Sequence, residues 1–379
     1  MKGRRWFLNM PGMVLFSFML YSQDAPKLAG PVLCQKPPGK PSRIGADDNS
    51  SANKDRDFVL PQLFIIGGFN EKQTYADVYS ISILDLLSGE GKAWTRGPAL
   101  PHPLQGHTAV TVRNRIFIIG GLQGVDENRR AIYSQGVFSA EVNDSRLGEW
   151  KRENPLPQPL AYHAAVRYKD FIMICGGQSP ATISTVYKAP VAENGKIGGW
   201  EIAGALPKPM RGHAAVIVND RLFILGGHDD GGFFAEVHSA PIGGDGRIGK
   251  WESAMPLPAP LVHFGVAEHN GRIYVFGGQD AGDNLHTEIY SAKSSGSKLA
   301  NWRFETAFPF PQSRMGLIII DEHIIATGGG FGWAPPVYSD VLASELDQDG
   351  VLGKWRKIGD LPGPIAFHAA VIVPERRHP

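Results

Sequence analysis

The chain has 379 residues, of which 42% are apolar and 10% aromatic, and a formal charge of +1. That near-neutral balance gives no electrostatic footprint for nucleic acid or an anionic membrane surface. Cys34 and Cys175, the two cysteines, are too few for a disulfide scaffold or a thiolate metal site.

Lys2, Arg4 and Arg5 precede an apolar stretch from Trp6 to Tyr21, whose unbroken part, Met13 to Tyr21, is too short to span a bilayer. Residues 1–22 therefore read as a signal peptide or N-terminal anchor, placing the mature chain outside the cytoplasm: secreted, periplasmic or at the cell surface. A cytoplasmic home stays compatible with the rest of the sequence. No membrane span is expected beyond that anchor. Residues 23–57 are rich in Pro, Gly, Ser and charge, without hydrophobic period, and read as a flexible tether.

From residue 58 to 379 one unit recurs. Six glycine pairs each close a run of branched and aromatic residues: Gly67-Gly68, Gly120-Gly121, Gly176-Gly177, Gly226-Gly227, Gly277-Gly278 and Gly328-Gly329. Their spacings are 53, 56, 50, 51 and 51 residues, the signature of a repeat architecture. The copy beginning at Arg211 shows the order best. His213 to Val218 is a first strand, Asn219-Asp220 a hairpin turn, and Leu222 to Leu225 a second strand. A variable loop leads to a third strand at Val237 to Ala240, and a Gly-rich turn to Trp251 and a fourth strand. The tryptophan recurs as Trp94, Trp150, Trp200, Trp302 and Trp355, and a Pro-x-Pro pair precedes each following first strand.

Four short strands per unit make a small antiparallel sheet with two apolar faces. Radial stacking buries both faces and leaves only short edges. The Gly-Gly, the Tyr near position ten and the Trp about 24 residues on resemble the kelch repeat. The resemblance implies an all-β, six-bladed kelch-type β-propeller. The first copy lacks a first strand, and the chain ends on an orphan one, His368 to Val373, so the C-terminal strand is expected to complete the N-terminal blade.

Most eye-catching residues have architectural readings. His107, His163, His213, His263 and His368 lie on separate blades, too far apart to share a metal whose nitrogen ligands sit about 2.1 Å away, and read as structural contacts. The series breaks at Arg314-Met315. The run Gly246 to Trp251 resembles a phosphate loop but precedes no helix, and reads as a turn. Galactose oxidase shares the kelch propeller, but neither cysteine is placed for its copper chemistry. The reading therefore requires no metal and no cofactor.

Function is sought where the blades differ. The loops after the glycine pairs and before the first strands share one face around the channel mouth. Gln123 lies in a charged loop of blade two, His228 and Asp229 in blade four, and Trp333 in blade six, while Tyr162, Arg211 and Arg314 stand just before first strands. Guanidinium groups favour carboxylates, and this set is the candidate ligand site for a protein or carbohydrate partner. The expected function is an exported binding module. The alternative is a carbohydrate-active enzyme such as a sialic acid mutarotase (epimerase), an activity known on exported kelch propellers, with Asp229, His228, Arg211 and Arg314 supplying proton transfer and the grip on a sugar carboxylate.

Overall fold

The structure is a computed structural model that describes residues 61–89, 91–332 and 334–373. The leader and tether expected at 1–22 and 23–57, and Trp333, lie outside the described residues.

Each second strand is a continuous apolar run because both of its faces are covered. Alternation along the strand decides which neighbour each side chain meets. In Gln62–Ile66, Leu63 and Ile65 pack against blade six, whereas Phe64 and Ile66 pack against blade two. The same division yields six apolar clusters, one between every adjacent pair of blades. Six interfaces among six blades leave no gap in the ring. Each buried Leu, Ile or Phe contributes about 1.5–3 kcal/mol, so the ring is held from its interfaces rather than from a central core.

Blade four is typical: Ala214–Val218, Arg221–Leu225, Val237–Pro241 and Glu252–Ser253 run antiparallel in that order. Blade one closes as the sequence predicts. The C-terminal strand Ala369–Val373 pairs with Gln62–Ile66 over five residues, from Ala369 opposite Ile66 to Val373 opposite Gln62. Val78–Ser82 and Thr95–Arg96 complete that sheet.

The tryptophans latch blades together. The indole N–H of Trp94 donates to the Asp360 carbonyl of blade six, Trp150 to Pro98, Trp200 to Asn154, Trp251 to Ala205 and Trp302 to Met255. In each case the acceptor belongs to the preceding blade. Trp355 instead packs at a tilt against Phe308, with centroids 4.6 Å apart.

The glycine pairs have two causes, conformation and space. Gly176 and Gly177 hold φ of +59° and +103°, values that glycine adopts freely. A Cβ on Gly176 would also lie 2.6 Å from the Met210 carbonyl and 2.9 Å from Cε1 of His213. The histidine of the next blade thus packs on the bare backbone of the glycine. His107, His163, His213 and His368 all occupy this seat, buried, in agreement with their structural reading.

His263 does not, which corrects the sequence reading. Phe264 takes the seat in blade five, with Cε1 2.9 Å from where a Gly226 Cβ would be. The first strand there is Gly265–His269, so the histidine stands one residue earlier than its apparent equivalents.

Three departures from the repeat were not visible in the pattern. Blade one carries a helix, Ile83–Ser88, whose Ile83 and Leu86 are buried and which ends at left-handed Gly89. Two extra ribbons rise from the loops after the glycine pairs, Leu122–Val125 with Ala131–Tyr133 and Gln178–Ser179 with Ala181–Thr182. The Gly-rich run before Trp251 is a turn, closed by Gly246 N–H on the Gly243 carbonyl at 2.8 Å.

Candidate functional site

One residue before each histidine seat, the six blades contribute Phe367, Gly106, Tyr162, Gly212, His263 and Arg314. Their backbones form a closed belt. Each amide donates to the carbonyl of the preceding member: Gly106 to Phe367, Tyr162 to Gly106, Gly212 to Tyr162, His263 to Gly212, Arg314 to His263 and Phe367 to Arg314, at 2.9–3.2 Å. All six are left-handed, with φ from +52° to +62°. The belt lies directly before the first strands and so rings the mouth of the channel.

Because the belt satisfies its own N–H and C=O groups, recognition at the mouth falls to side chains. Four are present, and they converge. Ring centroids of Tyr162 and Phe367 are 5.6 Å apart, those of His263 and Phe367 5.2 Å, and those of Tyr162 and His263 5.8 Å, all edge to face. The guanidinium carbon of Arg314 lies 5.0 Å from the centre of the Phe367 ring, a cation–π contact.

Arg314 is buried and donates to Ser313 Oγ at 3.1 Å, to the Gly330 carbonyl at 3.4 Å, and to Gln279 Oε1. Burial pulls its pKa down to about 9, against the pull of Tyr162 and Asp283, so it stays cationic at neutral pH. Gln279 in turn donates to Asp283 Oδ1 at 2.6 Å.

Arg211 sits one residue before its belt member, and its backbone pairs with that of His228 at 2.9 and 3.0 Å. This pairing is why the two side chains are neighbours. The guanidinium of Arg211 donates to Thr182 Oγ1 and, at 3.0 Å, to the exposed Asp230. The His228 ring stacks on Phe233 at 5.0 Å and meets the His263 ring edge-on at 6.2 Å.

Burial and two guanidinium groups set the charge state of this cluster. His228 is pushed down to about 4, first by burial and then by Arg211, with Asp229 and Asp230 opposing. His263 falls well below the ordinary histidine range through burial, Arg314, His228 and Arg211. Burial and Tyr133 raise the Tyr162 phenol to about 12, against Arg314 and Arg211. At neutral pH the mouth therefore holds two cations, two neutral imidazoles and a neutral phenol. The carboxylates nearest to it stand at its edge, Asp230 on Arg211 and Asp283 beside Gln279.

The structure brings together Tyr162, Arg211, Arg314 and His228 of the predicted residues. Asp229 is committed to its own turn, where Oδ1 accepts from Gly231 N–H at 2.7 Å and Gly232 N–H at 3.1 Å. Asn70 and Asp280 do the same job at the equivalent place in blades one and five. Gln123 is half-buried in the blade-two ribbon, and among the described residues no side-chain hydrogen bond ties it to the cluster. His263, Phe367, Tyr133 and Gln279 join the site without having been singled out for it. Aligning Phe264-Gly265 with His213-Ala214 would have revealed His263, since Gly106 and Gly212 mark the belt position in two other blades.

Fold and site together define a six-bladed propeller of kelch-type repeats whose individuality is concentrated at one channel mouth. The KLHDC2/KLHL20/DRC7 Kelch-repeats domain matches residues 50–227 and 191–377, and the chain belongs to that kelch-repeat family. Kelch-like protein terF of Aspergillus terreus is 25% identical over 83% of this chain and 57% of its own length. Kelch-like protein 23 of Mus musculus is 24% identical over 82% of this chain and 50% of its own length. The chain thus spans about half the length of these two relatives. The solved structure of YjhT superposes with a TM-score of 0.55 and 14% identity, covering 71% of this chain and 87% of that one, a likeness of fold alone.

Proposed function

We propose that this kelch propeller is an exported binding module whose channel mouth captures a protein segment through an acidic group. One observation carries the reading: the belt presents Tyr162, His263, Arg314 and Phe367 on a common floor, with Arg211 beside them. Four non-glycine residues hold left-handed backbone there, a conformation that costs about 1 kcal/mol or more each and concentrates at functional sites. The cationic floor suits a carboxylate, and the half-buried His228 offers ring surface to the groups around it.

A protein segment suits this floor better than a sugar enclosed for chemistry. The rings of Tyr162, His263 and Phe367 meet one another across the belt, which favours a surface contact. A mutarotase reading needs a carboxylate facing an arginine across an open pocket. Here Asp229 is bound into its turn, and Asp230 already pairs with Arg211. Kelch-like names among the relatives agree with an interaction role.

The test uses the full propeller and a fluorescein-labelled hexaglutamate peptide, read by anisotropy. Native protein should bind it in a salt-sensitive manner, and Arg211→Ala should weaken binding about tenfold, the worth of one charge-assisted contact. Equal binding by native and Arg211→Ala protein would reject the site. Acceleration of N-acetylneuraminate anomer exchange over buffer would instead favour the enzyme. Export is tested separately by fusing residues 1–57 to alkaline phosphatase, with phosphatase confined to the cytoplasm counting against it.

A further inference from the structure

Glycine occupies two of the six belt positions, and left-handed backbone does not explain it. Tyr162, His263, Arg314 and Phe367 hold the same φ within a few degrees, and all six positions share the same amide-to-carbonyl bond. What separates Gly106 and Gly212 is the side chain lying over them. A Cβ on Gly106 would stand 2.6 Å from Cε1 and 2.7 Å from Cδ1 of Tyr162. One on Gly212 would stand 2.9 Å from Cε1 and 3.2 Å from Nδ1 of His263. Real Cβ atoms do not approach so closely, so either ring would have to move. In both cases the ring belongs to the next blade around the belt. The pattern is therefore a large residue laid across a bare neighbour, repeated at Gly106–Tyr162 and Gly212–His263.

We infer that Gly106 and Gly212 are positioning residues, kept bare so that the rings of Tyr162 and His263 rest against the belt backbone and hold their polar atoms at the mouth. The inference rests on the mouth being the binding face and adds the residues that set its shape. Among the described residues the Tyr162 hydroxyl and the His263 ring nitrogens make no hydrogen bond, so both groups remain available to a ligand. A methyl group under either ring tilts it away from the floor and spoils that aim. The effect is stronger at Gly106, where the approach is closer and involves two ring atoms.

Two double-mutant cycles in the full chain test the inference without any ligand. Gly106→Ala should lower the urea midpoint in the native background and lower it much less in a Tyr162→Ala background, where the ring is gone. Gly212→Ala should couple to His263→Ala in the same sense but more weakly. Equal shifts in both backgrounds would mean that the glycines serve the backbone alone and would overturn the inference. The second cycle stands if the Gly106 variants do not fold. If native protein binds hexaglutamate, Gly106→Ala should weaken that binding about five- to tenfold through loss of one hydrogen bond, and unchanged affinity would also overturn the inference. If native protein does not bind the peptide, the acidic-ligand reading fails, and the two cycles still decide the role of the glycines.

Discussion

The four histidines packed on the glycine pairs make the ring sensitive to acid, and the size of the effect follows from their burial. Burial holds His107 down to about 4 and His163, His213 and His368 down to about 3. Secondary repulsions act between His163 and its neighbours His107 and His213. An unfolded histidine titrates near 6.5. Between that value and the folded one the unfolded chain binds more protons, so stability is whole above pH 6.5 and falls as acid is added. At pH 5 each seat gives up about 2 kcal/mol, and the four together about 8 kcal/mol. That is the order of the entire net stability of a folded domain, about 5–15 kcal/mol. His228 and His263 shift in the same direction and steepen the fall.

The chain itself supplies the control, because Phe264 fills the same seat in blade five. His213→Phe should fold, and should remove one histidine from the linkage, reducing the pH slope of stability by about 1 kcal/mol per pH unit between pH 4.5 and 6. Urea unfolding followed by tryptophan fluorescence at several pH values measures both slopes. An identical slope for native and His213→Phe protein would refute the argument, since it would mean that this imidazole protonates as easily folded as unfolded.

Further outcomes can be stated briefly. Deleting residues 367–379 removes the innermost strand of blade one and a belt member together, and should yield an aggregating or protease-sensitive product; a truncated chain as resistant as the full one would contradict ring closure. Trp251→Phe breaks a bond to the preceding blade and should cost about 1 kcal/mol, whereas Trp355→Phe should cost less, because the buried Trp355 indole N–H has no acceptor among the described residues; equal losses in urea unfolding would count against the latch. In a Cys34→Ser background, Cys175 should resist thiol reagents until the protein is denatured, since it is fully buried and its thiol is pushed up to about 12; labelling of the native protein would refute its burial.

Propeller, blade count and closure could be read from the chain because each rests on a physical demand made six times. A run such as Leu63 to Ile66 has to bury two faces, and a glycine pair has to let an imidazole rest on the backbone. Repetition exposes these demands. The helix Ile83–Ser88 stayed hidden because it occurs once, and its burial depends on the final strand of blade six, far away in sequence. His263 was misread for a subtler reason. A histidine near the start of a first strand looked like the other four, yet the strand begins one residue later in phase.

That single-residue offset shows where such a protein keeps its specificity. The seat on the glycine tolerates little variety, holding His in four blades and Phe264 in a fifth, because the bare backbone below leaves one shape of space. The belt position beside it is constrained only in backbone: any residue that accepts φ near +55° can make the amide bond to its neighbour. Its side chain points to the mouth and is free to vary, and here it is Phe, Gly, Tyr, Gly, His and Arg in turn around the axis. Architecture and recognition thus occupy adjacent residues under different rules. Exchanging belt side chains should alter what the mouth binds at small cost to the ring, provided that Gly106 and Gly212 stay bare beneath the residues that follow them.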